Sequence, residues 1–396
     1  MTIVKERISR VSYLQCAACN RTYSTEQIQT IASCSQCKAS PLLAQYEFVP
    51  GLKRSDIDLE ERSMWRYFEM LPILDKKNVV SLGEGWTPLL KLHRLAAKLN
   101  MSNLFIKDEG QNPTGSFKAR GISMAVSKAK ELGICDCIIP TAGNAGGALA
   151  AYCARAGMKA TVVMPTHTPQ AFKMECEYMG ATLILVDGLI DDCAKKVAEL
   201  KRKGNYFDVS TMKEPYRIEG KKTMGYELAE QFNWQLPDVI LYPTGGGTGL
   251  IGIWKAFHEM IELGWISSEL PRMIAVQSEN CQPVVNTFFR QPIMAAKASL
   301  ANGLAVPVPF AHKQIQQVLY DSGGTAVAIA DRDMVECIKE LASTEGMFVA
   351  PEGAALVAAL RSLNKKGIVQ SHEHVLLLNT GSAYKYLQNL PTNSSR

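Results

Sequence analysis

No stretch of this chain approaches the roughly 18 to 20 uncharged apolar residues that a membrane-spanning helix requires, so no span is expected. The opening residues, MTIVKERISRVSY, contain neither the apolar centre of a secretory signal nor a long Arg- and Ser-rich leader, and Glu6 stands among them. A soluble, untargeted, cytoplasmic protein is the expectation. Excess charge of one sign is also missing: 43 Lys and Arg face 38 Asp and Glu, leaving a dispersed net charge of +5. That balance argues against a nucleic-acid or membrane partner. Internal repeats and low-complexity tracts are absent, and 47% hydrophobic with 20% charged residues argues against disorder, collagen and coiled coil. What is present is 396 residues of ordinary globular composition, enough for two or three compact units at roughly 150 residues each.

The 11 cysteines are the unusual entry in the composition. An odd number without a secretory signal does not fit a disulfide framework, and a reducing compartment fits better. Four of them form two C-x-x-C knuckles, Cys16 with Cys19 and Cys34 with Cys37, fourteen residues apart. Paired knuckles can place four thiolates in a tetrahedron around zinc. A site closed by four cysteines leaves no open position for water, so the metal's role is expected to be structural. Free surface thiols or a redox pair are the alternatives. A segment of some fifty residues with so little apolar content would draw its stability from the metal. Most of the other seven cysteines, such as Cys137 and Cys153, fall in apolar contexts that suit buried, inert thiols.

From about residue 60, short apolar strands alternate with helical stretches, the signature of a parallel α/β architecture. Strands are expected at 104–107, 137–140, 160–164, 182–186, 239–242, 273–276 and 374–378, each apolar enough to be covered on both faces. Helices are expected at 121–132, 145–156, 169–179, 191–203 and 250–263. Residues 391–396 are polar and expected to fray.

Three loops that follow strands carry the chemistry, because ligands of open α/β sheets collect at the carboxyl ends of strands, where helix N-termini offer free N–H groups. The first, NPTGSFKARG at 112–121, sets one lysine, Lys118, among small and polar residues. The second, PTAGNAGG at 140–147, leads directly into a helix, as does the third, PTGGGTG at 243–249. Gly245, Gly246, Gly247, Thr248 and Gly249 leave successive amides unobstructed for a phosphate at a helix start. The loop lacks the Gly-Lys-Ser/Thr ending of a nucleoside triphosphate site and the G-x-G-x-x-G of a dinucleotide site. A phosphate cup together with a loop lysine is the equipment for pyridoxal 5'-phosphate, whose aldehyde forms a Schiff base and whose phosphate needs an anchor.

The order of Lys118 in SFKARG, Asn144 in TAGN, the cup at 245–249 and NTGSAYK at 379–385 resembles the pyridoxal-phosphate enzymes of the tryptophan synthase β family, of fold type II. Within that family the chain is most similar to the threonine synthases, with GEGWTPL at 83–89 and PYRIEGKKT at 215–223 as further matching segments. An N-terminal zinc knuckle ahead of the catalytic body is also found in such sequences. The resemblance covers about residues 80 to 386. It implies two α/β lobes with open, twisted, mostly parallel sheets flanked by helices. Residues 1–50 would be the zinc-ribbon-like knuckle, 51–120 with 220–390 the larger cofactor-binding lobe, and 121–219 a smaller inserted lobe, with the cofactor in the cleft between lobes. A homodimer is implied by analogy.

The same resemblance implies roles by position. Lys118 would hold the cofactor as a Schiff base and then carry protons. Asn144 would hydrogen-bond the 3-hydroxyl oxygen and Thr380 would face the pyridine nitrogen. A hydroxyl there in place of a carboxylate leaves that nitrogen largely unprotonated, which suits elimination and replacement more than transamination. Ser116, Thr141 and Arg217 would bind anionic groups of a small, phosphorylated amino-acid substrate. The implied reaction turns O-phosphohomoserine and water into threonine and phosphate. The chain departs from the family pattern at Ala119, where an acid is common, at 211–214 (TMKE), and at Ala383. Lys213 or Lys221 could supply a lost phosphate contact, or be solvated helix charges. A threonine or serine ammonia-lyase and an O-phosphoserine β-replacement enzyme are the alternative activities, and a non-catalytic binding module is the alternative class.

Overall fold

The computed structural model describes residues 8–24, 33–38, 41–48 and 52–391. The first seven residues, and 392–396 of the stretch expected to fray, lie outside the described residues. The chain opens with β1 (Val11–Cys16), β2 (Thr22–Ser24) and β3 (Leu42–Tyr46), then β4 (Leu89–Lys91), α1 (His93–Leu99), β5 (Asn103–Asp108) and α2 (Lys118–Glu131). A regular alternation follows: β6 (Asp136–Pro140), α3 (Asn144–Ala156), β7 (Lys159–Pro165), α4 (Gln170–Tyr178), β8 (Thr182–Val186), α5 (Ile190–Lys203) and β9 (Phe207–Asp208). The remainder comprises α6 (Tyr216–Gln231), β10 (Val239–Pro243), α7 (Thr248–Glu262), β11 (Arg272–Ser278), α8 (Pro283–Phe288), α9 (His312–Asp321), β12 (Thr325–Ile329), α10 (Asp331–Glu345), α11 (Pro351–Lys365) and β13 (His374–Asn379).

Three sheets result. A small antiparallel sheet has the order β2-β1-β3 and encloses Leu14, Leu42 and Ala44. The second has the order β8-β7-β6-β9 and is parallel throughout. The third has the order β12-β11-β10-β13-β5-β4 and is parallel except for β4, which runs antiparallel to β5. Every residue of the central strand β10, VILYP, is buried, as a strand covered by helices on both faces requires. The α6 and α7 side of that sheet and the α10 and α11 side form separate apolar cores. No described helix is long and apolar enough to cross a membrane.

Each strand expected from the sequence is present, but β8 is not doubly covered. It is an edge strand with Leu185 exposed, so its apolar run does not report full burial. Lys118 also lies differently from expectation, as the first residue of α2 and not inside a loop. The helix α6 escapes periodicity because 14 of its 16 residues are buried, charged ones included. It crosses α2 at two glycines: a Cβ on Gly121 would meet the Arg217 carbonyl oxygen at 2.7 Å, and one on Gly220 would collide with the Arg120 carbonyl. This close backbone approach sets Lys118, near the start of α2, beside Arg217 and Lys221 of α6.

Candidate active site

The N-termini of α2, α3, α6, α7 and α11 contribute to the wall of one cavity of about 650 Å³, between the carboxyl ends of the strands of the two parallel sheets. The aligned dipoles of these helices make such a cavity favourable to anions.

Lys118 lines this cavity. Burial and the neighbouring Arg217 charge lower its amine to about 8, against a smaller opposing effect of Glu352. A lysine so perturbed has a large neutral, nucleophilic fraction near physiological pH. Gly245, Gly246, Gly247 and Thr248 line the cavity opposite. Gly247 is the N-cap of α7 at φ +73°, a left-handed conformation suited to glycine, and Gly246 has room for a side chain only at 3.2 Å from Thr211. A Cβ on Gly245 would collide with the Gly303 carbonyl. Bare backbone at this turn is therefore a packing requirement, and it leaves the amides open toward the cavity. Gly249 does not line the cavity. It sits in the first turn of α7 against the Tyr242 hydroxyl, so its missing side chain serves helix-on-strand packing.

Asn144 lines the cavity at the start of α3, and its buried Oδ1 has no hydrogen-bond partner. Its side chain hydrogen-bonds the Tyr386 hydroxyl, which itself donates to Glu352 Oε1 at 3.0 Å. Thr380 lines the cavity at the end of β13, as does Thr141, whose Oγ1 accepts from the Gly143 N–H at 3.1 Å. Ser116 does not line it: the residue is fully buried, its backbone bridges to Gly381, and its Oγ has no partner. The residues present fit pyridoxal phosphate, with an amine of lowered pKa, an open glycine cup and an orphaned amide oxygen in one chamber.

Arg217 and Lys213 also line the chamber. Arg217 donates to the Val209 carbonyl at 2.6 Å while its buried Nε is unpaired. Beside it Glu214 accepts from the Tyr216 and Arg217 N–H groups at 2.6 and 2.9 Å, capping α6, and burial raises its carboxyl to about 7. Lys221, one turn beyond Arg217, is 1% exposed and is not a solvated helix charge.

Two features had no readable signal in the sequence. Glu352 lines the cavity and accepts from the Gly303 N–H at 2.7 Å; burial pushes its carboxyl up. In the sequence it is an acid in the first turn of a helix, which capping alone would explain. Arg120 is fully buried and forms paired hydrogen bonds to Glu109 (2.6 and 2.7 Å) and to Glu227 (2.5 and 2.7 Å), while Lys107 bonds Glu227 at 2.8 Å. This network fixes the first turn of α2 two residues from Lys118.

In the N-terminal sheet, one sulfur from each of Cys16, Cys19, Cys34 and Cys37 lies within 4.8 Å of the others. The Cys16–Cys37 and Cys19–Cys34 sulfurs are 3.5 and 3.6 Å apart. A tetrahedron with zinc–sulfur bonds of roughly 2.3 Å needs about 3.8 Å between sulfurs, so the donor set fits zinc. The Tyr23 hydroxyl donates to Cys34 Sγ at 3.0 Å, a supporting contact outside the four sulfurs. At the other end of this sheet, Tyr46 donates to Glu219 of α6 at 2.6 Å and stacks under Lys222 at 3.8 Å. The knuckle is thus docked on the active-site helix.

A lysine at a helix start, facing a glycine cup across two packed α/β sheets, defines a fold type II pyridoxal-phosphate enzyme. Residues 80–381 match the family described as "Pyridoxal-phosphate dependent enzyme", and the chain belongs to that family. Among curated relatives it is 35% identical to "Threonine synthase" of Methanocaldococcus jannaschii, over 94% of this chain and 92% of the relative. It is 33% identical to "Threonine synthase" of Methanosarcina acetivorans, over 94% and 92%. Among solved structures, the processed form of threonine deaminase isoform 2 from Solanum lycopersicum superposes with a TM-score of 0.66, at 22% identity over 87% of this chain and 97% of that one. A fungal L-serine ammonia-lyase from Rhizomucor miehei gives a TM-score of 0.64, at 22% identity over 75% and 93%. These two likenesses show the shared fold.

Proposed function

We propose that this chain is a threonine synthase, which converts O-phosphohomoserine and water to threonine and phosphate. The observation that carries the reading is that the chamber holding Lys118 and the glycine cup is also lined by Arg217 and Lys213, cations beyond those a single cofactor phosphate needs. The curated relatives named threonine synthase, 31–35% identical over most of the chain, supply the particular reaction.

Lys118, Asn144, Gly245 to Thr248 and Thr380 are the residues that would hold pyridoxal phosphate. When bound, it supplies the electron sink that makes the α-hydrogen of an amino acid acidic. Lys118 Nζ would accept the Cα proton and then a Cβ proton of the substrate, return one to Cγ once phosphate has left and the other to Cα as hydroxide from water adds at Cβ, with water's remaining proton taken up by the released phosphate. Arg217 would bind the substrate's phosphate and hold it as it leaves. Thr141, at the same wall, would orient the substrate's carboxylate. Ser116 would act from behind that wall only if its loop opened.

Four thiolates in the N-terminal sheet would hold one structural zinc, without a part in the chemistry. A reducing, cytoplasmic setting suits such thiolates, and a homodimer is the proposed assembly. The test is a parallel assay of O-phosphohomoserine, threonine, serine and O-phosphoserine, following phosphate, threonine and 2-oxo acid. Phosphate and threonine from O-phosphohomoserine are expected. Oxo acid from threonine with no turnover of O-phosphohomoserine would replace this reading with an ammonia-lyase.

A further inference from the structure

Lys221 is a buried lysine that the fold leaves without an ion pair among the described residues. Four lysines among the described residues are buried, and three have a carboxylate: Lys107 with Glu227 at 2.8 Å, Lys128 with Glu131 at 2.6 Å, and Lys222 with Glu219 at 2.6 Å. Lys221 has none within ion-pair distance. Glu214, a carboxyl near it, already caps α6 with one oxygen. The lysine's Nζ instead donates to Thr248 Oγ1, at the first residue of α7 and the rim of the glycine cup. Burial and the neighbouring Lys118 and Arg217 charges hold the Lys221 amine well below its usual range, and an anion arriving at Thr248 would favour its charged form.

We infer that Lys221 is the charge partner of the phosphate monoester received by the glycine cup, the 5'-phosphate of the cofactor. The inference rests on reading the cavity as a pyridoxal-phosphate site and assigns a residue to that group's anchoring. Backbone amides and the α7 dipole offer only partial charges, whereas an ammonium adds a full one at short range. Position separates this role from substrate binding. Arg217 and Lys213 line the open chamber, while Lys221 stands behind Thr248 and does not.

The test uses the full chain freed of cofactor, as wild type, Lys221→Met and Lys221→Arg, titrated with pyridoxal phosphate and with pyridoxal while the imine absorbance is followed. Lys221→Met should weaken pyridoxal phosphate about 10- to 100-fold and leave pyridoxal unchanged, the scale of one charge-assisted hydrogen bond. Lys221→Arg should retain most of the affinity. Without cofactor, Lys221→Met should melt no lower than wild type, because a desolvated amine with no ion pair is gone; a purely structural lysine would lower the melt and leave the ratio of the two affinities alone. Equal weakening of both ligands, or of neither, overturns the inference. So does intact cofactor affinity with lost binding of O-phosphohomoserine, which would reassign Lys221 to the substrate's phosphate. Should Lys221→Met not fold, Lys221→Gln is read in the same way. If the wild type gives no imine band with either ligand, the cofactor reading itself falls, and the inference with it.

Discussion

The lowered pKa of Lys118 makes a quantitative demand on the rate at which the apoprotein captures pyridoxal phosphate. With a midpoint of about 8 in place of 10.5, roughly one amine in ten is neutral at pH 7 where an ordinary lysine offers about one in 3,000, a gain of about 300-fold. Stopped-flow absorbance of the imine, recorded from pH 6 to 11 with cofactor added to apoprotein, should show a rate that rises and levels off near pH 8. Two substitutions should move the break in opposite directions. Arg217→Leu removes a neighbouring cation and should raise it by about one pH unit, slowing capture at pH 7 about tenfold. Glu352→Gln removes the opposing carboxylate and should lower the break. The same shift acts on stability. Because the folded pKa lies below the unfolded one, the unfolded chain binds a proton that the folded chain does not between about pH 8 and 10.5, so stability rises with pH across that window. Below pH 8 the penalty is full, at about 3 kcal/mol, and apo Lys118→Met should exceed wild type by up to that amount, with the gap closing toward pH 10.5. A wild-type rate that climbs through pH 10 without a break, or two variants that move the break the same way, would refute the reasoning.

Arg120→Met leaves Glu109 and Glu227 short of their buried partner, and urea unfolding should show a loss of about 3–5 kcal/mol. An unchanged urea midpoint would mean the network contributes nothing net. Gly249→Ala drives a methyl group into the Tyr242 hydroxyl and should cost about 1–3 kcal/mol of stability, while the affinity for pyridoxal phosphate changes little because position 249 is off the cavity wall. Metal analysis should find one zinc per chain. Cys34→Ser should lose that zinc and lower the melting temperature, yet still give the imine band at saturating cofactor; a lost band would give the metal a part in the active site.

Local patterns sufficed for much of this protein. The alternation of apolar strands and helices specifies the α/β class, because a strand covered on both faces must be apolar throughout, as 239–243 is. The two C-x-x-C knuckles and the 245–248 turn are similarly readable, since a four-thiolate cage and a phosphate cup each demand particular residue types at short spacing. Other features exist only through long-range packing. The sequence shows Lys221 as one of two adjacent lysines in a polar stretch; the fold alone separates them, sending Lys222 to Glu219 and Tyr46 and leaving Lys221 at Thr248. The same holds for Glu352 against the cavity, Arg120 between two glutamates, and Ser116 and Gly249 withdrawn from it. Residue types at short spacing determined the ingredients of the site, a lysine beside small residues, a glycine turn and two cysteine knuckles. Tertiary structure decided which charges meet, because that depends on glycine-permitted contacts such as Gly121 against Gly220's helix, between segments about a hundred residues apart.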